Sequence, residues 1–499
     1  MRNSKSLLVY FIVLCTGLAL AAPTTAIGKV MKVVGQNDPA VDVAAVQDAV
    51  DSNGSVRLEG TFDFGEDGSV TLTQSVQIRG QADNQGNPLT TIKGGDKTFY
   101  CDDTDVSIKI SQICFDGAKF CAIRVRQCDV LEISDNKFIN LVGGLNYGER
   151  GDPYYDAVGA IIGGKRIESQ NGRNIYCRNI TVSDNYFDCG AYDENGQLIN
   201  RDVGLLPETS RGLRLYHCVV ENAYITGNEI INVNRICIDV LDASGTPDLT
   251  ADIYIEQNDV STGPYAARGG WSASEIVGSS YGMHCLCGFA HPEAIYTRFH
   301  VNHNNITVWA TNPWAYAAGI YMLPGTSFAE VSFNTFNLGE NAAGGIYVMW
   351  VYGMASPLAN QPHNNVISNN QFIGTVTPAI MSLSPLRILP GAAVGMGSTH
   401  SNAILGNNFD NLIPIPKQMG GMILPAAHVI FTGYDLANGV FPARDNVLVG
   451  GGGFVIDGTD NPLTPEYDGL NSIKGDFNIQ TEGGVGYDLT EIIKASKDF

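Results

Sequence analysis

Arg124, Arg214, Asp239, His284, Tyr321 and Tyr347 each interrupt a short run in which apolar residues recur at every second position. The runs are Ala122-Ile-Arg-Val-Arg126, Leu213-Arg-Leu-Tyr216, Ile236-Cys-Ile-Asp-Val240, Ile320-Tyr-Met322 and Ile346-Tyr-Val348, with Met283-His284 read the same way. A period of two places successive side chains on opposite faces of a strand. The aliphatic members therefore face an interior, and the six named residues face outward as one column if the strands share a sheet. In that column Arg214 would neutralise an anion or polarise an oxygen, while Asp239 or His284 would move a proton. Arg124, Tyr321 and Tyr347 would bind what is being acted on. The plainer reading is that alternating charges form a solvated strand face and that a single histidine bonds a neighbouring strand.

Aromatic placement gives a second signal. Trp309, Trp314 and Trp350, with Trp271, fall in one third of the chain beside Tyr316, Tyr321, Tyr347 and Tyr352. Rings with an apolar face and a polar tip bury area and still hydrogen bond, so these tryptophans are candidate binding residues or anchors that pack loops onto a scaffold.

The scaffold that must position these residues is announced by a repeat. The phrase Ile133-Ser-Asp-Asn136-Lys-Phe138 returns as Val182-Ser-Asp-Asn185-Tyr-Phe187 and Ile225-Thr-Gly-Asn228-Glu-Ile230. Further copies centre on Asn258, Asn304, Asn334, Asn370 and Asn407, which makes eight. A fixed element separated by inserts of variable length marks a solenoid of stacked coils. The asparagine belongs at a corner between two short strands, because it tolerates left-handed backbone angles and its amide bonds nearby backbone. Coils stacked about 4.8 Å apart also let such amides bond one another in a ladder. The eight asparagines are thus structural.

Before the repeat, Asp42-Val-Ala-Ala-Val-Gln-Asp-Ala-Val50 has helical spacing and predicts a helix capping the open apolar end of the solenoid. The first 26 residues combine Arg2 and Lys5, an apolar stretch from Leu7 to Ala22 and small residues after it, the pattern of a secretory signal peptide. Secretion to the cell exterior is the resulting expectation, and no later apolar run is long enough for a membrane-spanning helix. A formal charge of -21 on 499 residues opposes phosphate backbones, which excludes nucleic acid as a partner. It also opposes polyuronates unless Ca²⁺ or a local basic strip intervenes. Ten cysteines follow Cys15, an even number compatible either with disulfides or with small buried side chains stacked between coils.

The helix, Val56-Arg-Leu-Glu-Gly60, Val76-Gln-Ile-Arg-Gly80 and the asparagine-bearing coils together resemble the pectin-lyase-like, right-handed parallel β-helix superfamily. The resemblance implies an all-β solenoid with a short N-terminal capping helix over 27–440, followed by C-terminal coils or a cap over 441–499. It also implies a secreted protein that cleaves or binds polysaccharide on the outer face of one sheet. Fold membership alone does not establish activity. The Asn-Thr-Asp, His-Gly and Arg-Ile-Lys set of polygalacturonase-like hydrolases is missing, and Asp102-Asp103 stands without its partners. A hydrolase would need two carboxylates about 5 to 9.5 Å apart, with Asp242 or Glu208 as the second. A lyase would pair a base with Arg214, with or without Ca²⁺ held by aspartates, although no dedicated calcium motif is present and no metal ligands can be assigned. The expectation is a polysaccharide lyase or glycosidase without an obligatory cofactor. The rival is a non-catalytic secreted solenoid that binds glycans or serves a cell-surface structure.

Overall fold

A computed structural model describes residues 30–141, 144–145, 155–164, 174–199, 202–203, 206–207, 209–264, 279–286, 296–322, 326–349, 361–383, 386–397, 399–419, 422–436, 439–458 and 471–481. The expected signal peptide, Trp271, Trp350 and Glu208 lie outside the described residues.

Each coil contributes strands to three parallel stacks. The first stack runs from Val70–Leu72 through 121–125, Tyr155–Gly163, Ile236–Ser244, Gly344–Met349 and 455–457 to 477–481. The second runs from Met31–Val34 through Ser55–Glu59, Val76–Arg79, Ser107–Ser111 and Ala251–Glu256 to 472–474. The third runs from Thr61–Asp63 to Asn408–Pro414 and forms an eleven-stranded sheet of its own. Some chains pass from first to second stack in one bent strand, as Cys121–Ser134 does, which joins those two stacks into a single sheet. The fold is a parallel β-helix. Because Val447–Gly458 and Ser472–Thr481 pair in parallel with the preceding coils, the solenoid continues past residue 440.

The interior follows from the alternation. Ile123, Val125, Leu213, Leu215, Ile238, Ile320 and Ile346 belong to the main apolar core, as their spacing required, but Ile236, expected there too, packs in the outer cluster because Cys237 and Ile238 both face inward and break the alternation. Phe115, Phe138 and Phe187 stack in register with centroids 5.1 and 4.4 Å apart, so the last apolar residue of the phrase builds a ring column inside the third stack. At the N-terminal end the helix Pro39–Ser52 covers the first coils, burying Val46, Ala49 and Val50. Proline at its start and Asp38 as its N-cap fix where it begins. The Asp42 carboxylate accepts hydrogen bonds from the backbone N–H groups of Gln36, Asp38 and Asp63 at 2.7, 3.0 and 2.8 Å, tying the helix to the chain on either side of it.

All eight repeat asparagines form one ladder. Each Nδ2 donates to the Oδ1 of the asparagine one coil further on, from Asn136 to Asn185 at 3.1 Å through to Asn370 to Asn407 at 2.9 Å. One part of the expectation is corrected. The left-handed residue is not the asparagine but the one before it: Asp135, Asp184, Gly227, Gln257, His303, Phe333, Asn369 and Gly406 have φ between 54° and 66°. The asparagine turns its amide inward to the ladder, so the chain reverses one residue earlier, where the side chain points to solvent and its type is free. Phe333, 53% exposed, shows that freedom.

Cys101, Cys114, Cys128, Cys177, Cys218 and Cys237 are free thiols, and they are buried, as are Cys121 and Cys189. Cys128 and Cys177 are register partners. Burial pushes the Cys101 thiol up to about 12 and Cys114 up to about 11, which makes both poor thiolates. These cysteines act as small apolar fillers of the coil.

Candidate functional site

The backbone register of the first stack places the column residues one above another. Arg124 pairs with Ile161, Ile161 with Arg214, Arg214 with Asp239, Asp239 with His284, His284 with Tyr321, and Tyr321 with Tyr347. The His284 side chain is outside the described part of the structure. The expectation of a solvent-facing strip is corrected. Arg124, Arg214, Asp239, Tyr321 and Tyr347 point away from the main core yet are at most 2% exposed. They belong to a second buried layer on the outer side of the stack, where Tyr216, Ile161, Tyr316, Tyr321, Tyr347 and Ile430 cluster. Alternation reports which side of a sheet a residue takes but not what lies over that side.

Burial obliges the charges to be paired. Arg214 Nε donates to Asp239 Oδ2 at 3.0 Å, and Arg211 Nε lies 3.4 Å from the same oxygen. The Arg214 guanidinium sits 4.6 Å from the Tyr216 ring centroid and that of Arg124 6.0 Å. Arg124 also donates to Gly163 O at 2.8 Å and Val125 O at 3.1 Å. A guanidinium is the cation best suited to such a place, since it is weakly hydrated, stacks on rings and donates in a planar fork.

Three residues beyond Arg214, His217 Nδ1 lies 3.3 Å from Asp242 Oδ2, both side chains being at most 3% exposed. Their backbones have φ of 49° and 52°, a left-handed pair where first-stack strands bend towards the second stack. The same left-handed conformation recurs at the repeat corners, so here too it marks a bend of the chain. Sequence reasoning considered Asp242 as a second carboxylate and missed His217. The available signal was that His217 follows Arg214 by three residues exactly as Asp242 follows Asp239, so a register that pairs 214 with 239 must also bring His217 beside Asp242.

The aromatic candidates have packing roles. The Tyr347 hydroxyl lies 2.8 Å from Ala343 O and 2.6 Å from Pro390 O, and its ring lies over Gly344 and Gly395, where a Cβ would collide with it. Gly395→Ala is therefore expected to destabilise the protein by about 1–3 kcal/mol, the range for overpacking, read as a lower midpoint in denaturant unfolding. An unchanged midpoint would mean that the ring does not lie flat on the sheet. Tyr321 meets Tyr316 edge to face at 5.8 Å. Trp309 is half-buried, exchanging backbone hydrogen bonds with Thr262 Oγ1 at 2.9 Å. Trp314, also half-buried, lies beneath the Lys417 ammonium, which bonds Pro313 O; burial lowers the Lys417 pKa to about 8.

An exposed feature of the second stack was also missed. Tyr224, Tyr254 and His300 stack outward at 5.0 and 4.5 Å, each directly preceding the first aliphatic residue of the repeat phrase. The planes are within 11° of parallel, so each ring shields its neighbour's face and offers solvent an edge. Asp252 binds Arg298 at 2.6 Å and His300 at 3.0 Å. Its burial would raise its carboxyl, but these two bonds prevail and hold it below its ordinary value. No group of three or more His, Cys, Asp or Glu suited to a metal ion occurs among the described residues, and no helix among them is long and apolar enough to cross a membrane.

Fold and site together define a parallel β-helix with a buried arginine, aspartate and histidine cluster on the outer side of its first stack. No protein-family model matches the chain, and no curated protein matches it by sequence. Among solved structures it is similar to the mannuronan C-5 epimerase AlgE6 A-module of Azotobacter vinelandii, with a TM-score of 0.35 and 12% identity over 88% of this chain and 92% of that one. It is likewise similar to the PL6 family polysaccharide lyase Pedsa3628 from Pseudopedobacter saltans, with a TM-score of 0.37 and 9% identity over 92% and 96%. The Dettilon tailspike protein gives 0.29 and 10% over 89% and 68%. At such identities and scores the likeness carries no statement about residues or activity.

Proposed function

We propose that the protein is a secreted polysaccharide-active β-helix protein whose chemistry resides in the Arg211, Arg214, Asp239, His217 and Asp242 cluster. The observation that supports this reading is a buried histidine facing a carboxylate beside a buried guanidinium pair. Elimination suits the cluster better than hydrolysis. Asp239 is the counter-charge of two arginines and Asp242 faces His217, so neither carboxylate stands apart as the proton donor of a glycosidase. In an elimination, the His217 ring takes the proton α to a uronate carboxylate and Arg214 neutralises that carboxylate. The electron pair of the broken C–H bond forms the new C=C bond, the glycosidic C–O bond breaks, and water protonates the departing oxygen. Ca²⁺ could add to the neutralisation, and its addition is one arm of the test.

The second reading, a non-catalytic glycan-binding solenoid, is favoured by the same cluster's burial, since substrate must reach side chains almost entirely out of contact with solvent. Incubation of the mature protein with acidic and neutral polysaccharides, with and without Ca²⁺, separates the readings. Elimination yields the ultraviolet absorbance of unsaturated uronates, hydrolysis yields reducing ends alone, and a binder yields neither. His217→Ala and the closer isostere His217→Gln are expected to lower the elimination rate about 10²- to 10⁴-fold with folding checked by circular dichroism. Turnover that survives both replacements removes His217 from the chemistry.

A further inference from the structure

We propose that a cleft on the second stack near the N-terminal end is a binding site for a carboxylate-bearing glycan, separate from the buried cluster. In a chain of charge -21, three cations stand in register on successive coils: Lys32 pairs with Arg57, and Arg57 with Arg79. Beside them Gln77 pairs with Lys109. Arg57 and Arg79 line a cavity of about 440 Å³ together with Ser55, Gln77, Gln81 and Gln112.

The cleft is built by its loop. The chain leaves the strand at Gly80, where a Cβ would collide with Gln112 O, and returns with Leu89 N donating to Gln81 O at 2.7 Å. Asp83, the acidic residue of the wall, is engaged in its own turn, accepting from Gln85 N, Asn87 N and Asn87 Nδ2. It therefore braces the loop, and it forms no ion pair with Arg57 or Arg79 among the described residues.

Both arginines are positioned, Arg57 by a carboxylate it shares and Arg79 by an amide. Glu59 is shared between Lys32 Nζ at 2.5 Å and Arg57 Nε at 3.2 Å, one carboxylate for two cations. Arg79 Nε donates to Gln112 Oε1 at 2.8 Å, and Arg79 has no carboxylate partner among the described residues. With Nε engaged in each case, the Nη groups can fork onto a ligand carboxylate. Coils repeat about every 4.8 Å, a step comparable to one sugar along an extended chain, so successive cations suit successive carboxylates. The three glutamine amides supply donors and acceptors for hydroxyl groups.

The test is isothermal calorimetry of the mature protein with a galacturonate hexamer, its methyl-esterified neutral counterpart, a sulfated glycan and single-stranded DNA. The expected result is binding of the hexamer that weakens with salt, no binding of the neutral ester, and an affinity about tenfold or more lower in Arg79→Ala. The double variant Arg57→Ala, Arg79→Ala loses the binding, and Arg79→Gln, which keeps polarity and bulk, behaves as Arg79→Ala does. His217→Ala keeps it, so failure of the elimination reading and failure of this one are told apart. Equal affinity for the neutral ester, equal or tighter binding of the sulfated glycan or DNA, or unchanged affinity in the double variant overturns the proposal.

Discussion

Asp239→Ala is expected to destabilise the protein by about 3–5 kcal/mol, more than Arg214→Ala does, measured as the shift in denaturant unfolding. The inequality follows from the geometry. Removing Arg214 leaves Asp239 with Arg211 3.4 Å away, whereas removing Asp239 leaves two guanidinium groups, each about 1% exposed, without that counter-charge. Desolvated cations cost more than the lost attraction, so replacing all three with apolar groups is expected to cost much less than Asp239→Ala alone. The triple variant Arg211→Met, Arg214→Met, Asp239→Leu therefore separates two roles that the single variants confound. If it folds with near-native stability and loses uronate elimination, the cluster serves chemistry. If it keeps every measured function, the cluster is a structural network. Should Asp239→Ala prove nearly neutral in stability, the pairing contributes nothing and both readings of the cluster fail.

How far the sequence carried depended on which physical signal each feature leaves. The solenoid was legible because an aliphatic residue, an asparagine and an apolar residue recur where every coil needs the same corner. Period-two alternation put Arg214, Asp239 and Tyr347 on the outer side of the first stack, and their register follows from the strand pairing. Their burial was not legible, because alternation carries no information about what covers a sheet. A second asparagine ladder, Asn365 to Asn402 to Asn446 to Asn471 with bonds of 2.9 to 3.0 Å, also escaped notice. Its signal is an asparagine two residues before the aliphatic residue that enters the second stack, as in Asn365-Val-Ile367 and Asn402-Ala-Ile404. Four copies late in the chain leave a fainter pattern than eight. The basic strip needed the register, since Lys32, Arg57 and Arg79 are unremarkable until the coils bring them side by side.

The main ladder gives the other large effect. Asn258→Ala is expected to cost about 2–5 kcal/mol, and Asn407→Ala at the ladder's end roughly 1–2 kcal/mol. Asn258 donates to Ile225 O, Glu256 O and Asn304 Oδ1, and its own Oδ1 accepts from both the backbone and the side-chain nitrogen of Asn228. Truncation leaves the Asn228 N–H and the Ile225 carbonyl without that partner at a site 1% exposed. Asn407 accepts the same pair of bonds from Asn370 and donates to Ile367 O, but it has no later asparagine of the repeat above it and is 7% exposed, so water can replace part of what is lost. Asn258→Asp tests the mechanism more sharply, because an ionised carboxylate still accepts from Asn228 yet has no proton to give Ile225 O or Asn304 Oδ1. Acidification, which returns one proton, is expected to recover part of the loss. Equal costs at Asn258 and Asn407 would show that the corner needs only its backbone shape, which the left-handed residue before each asparagine already supplies.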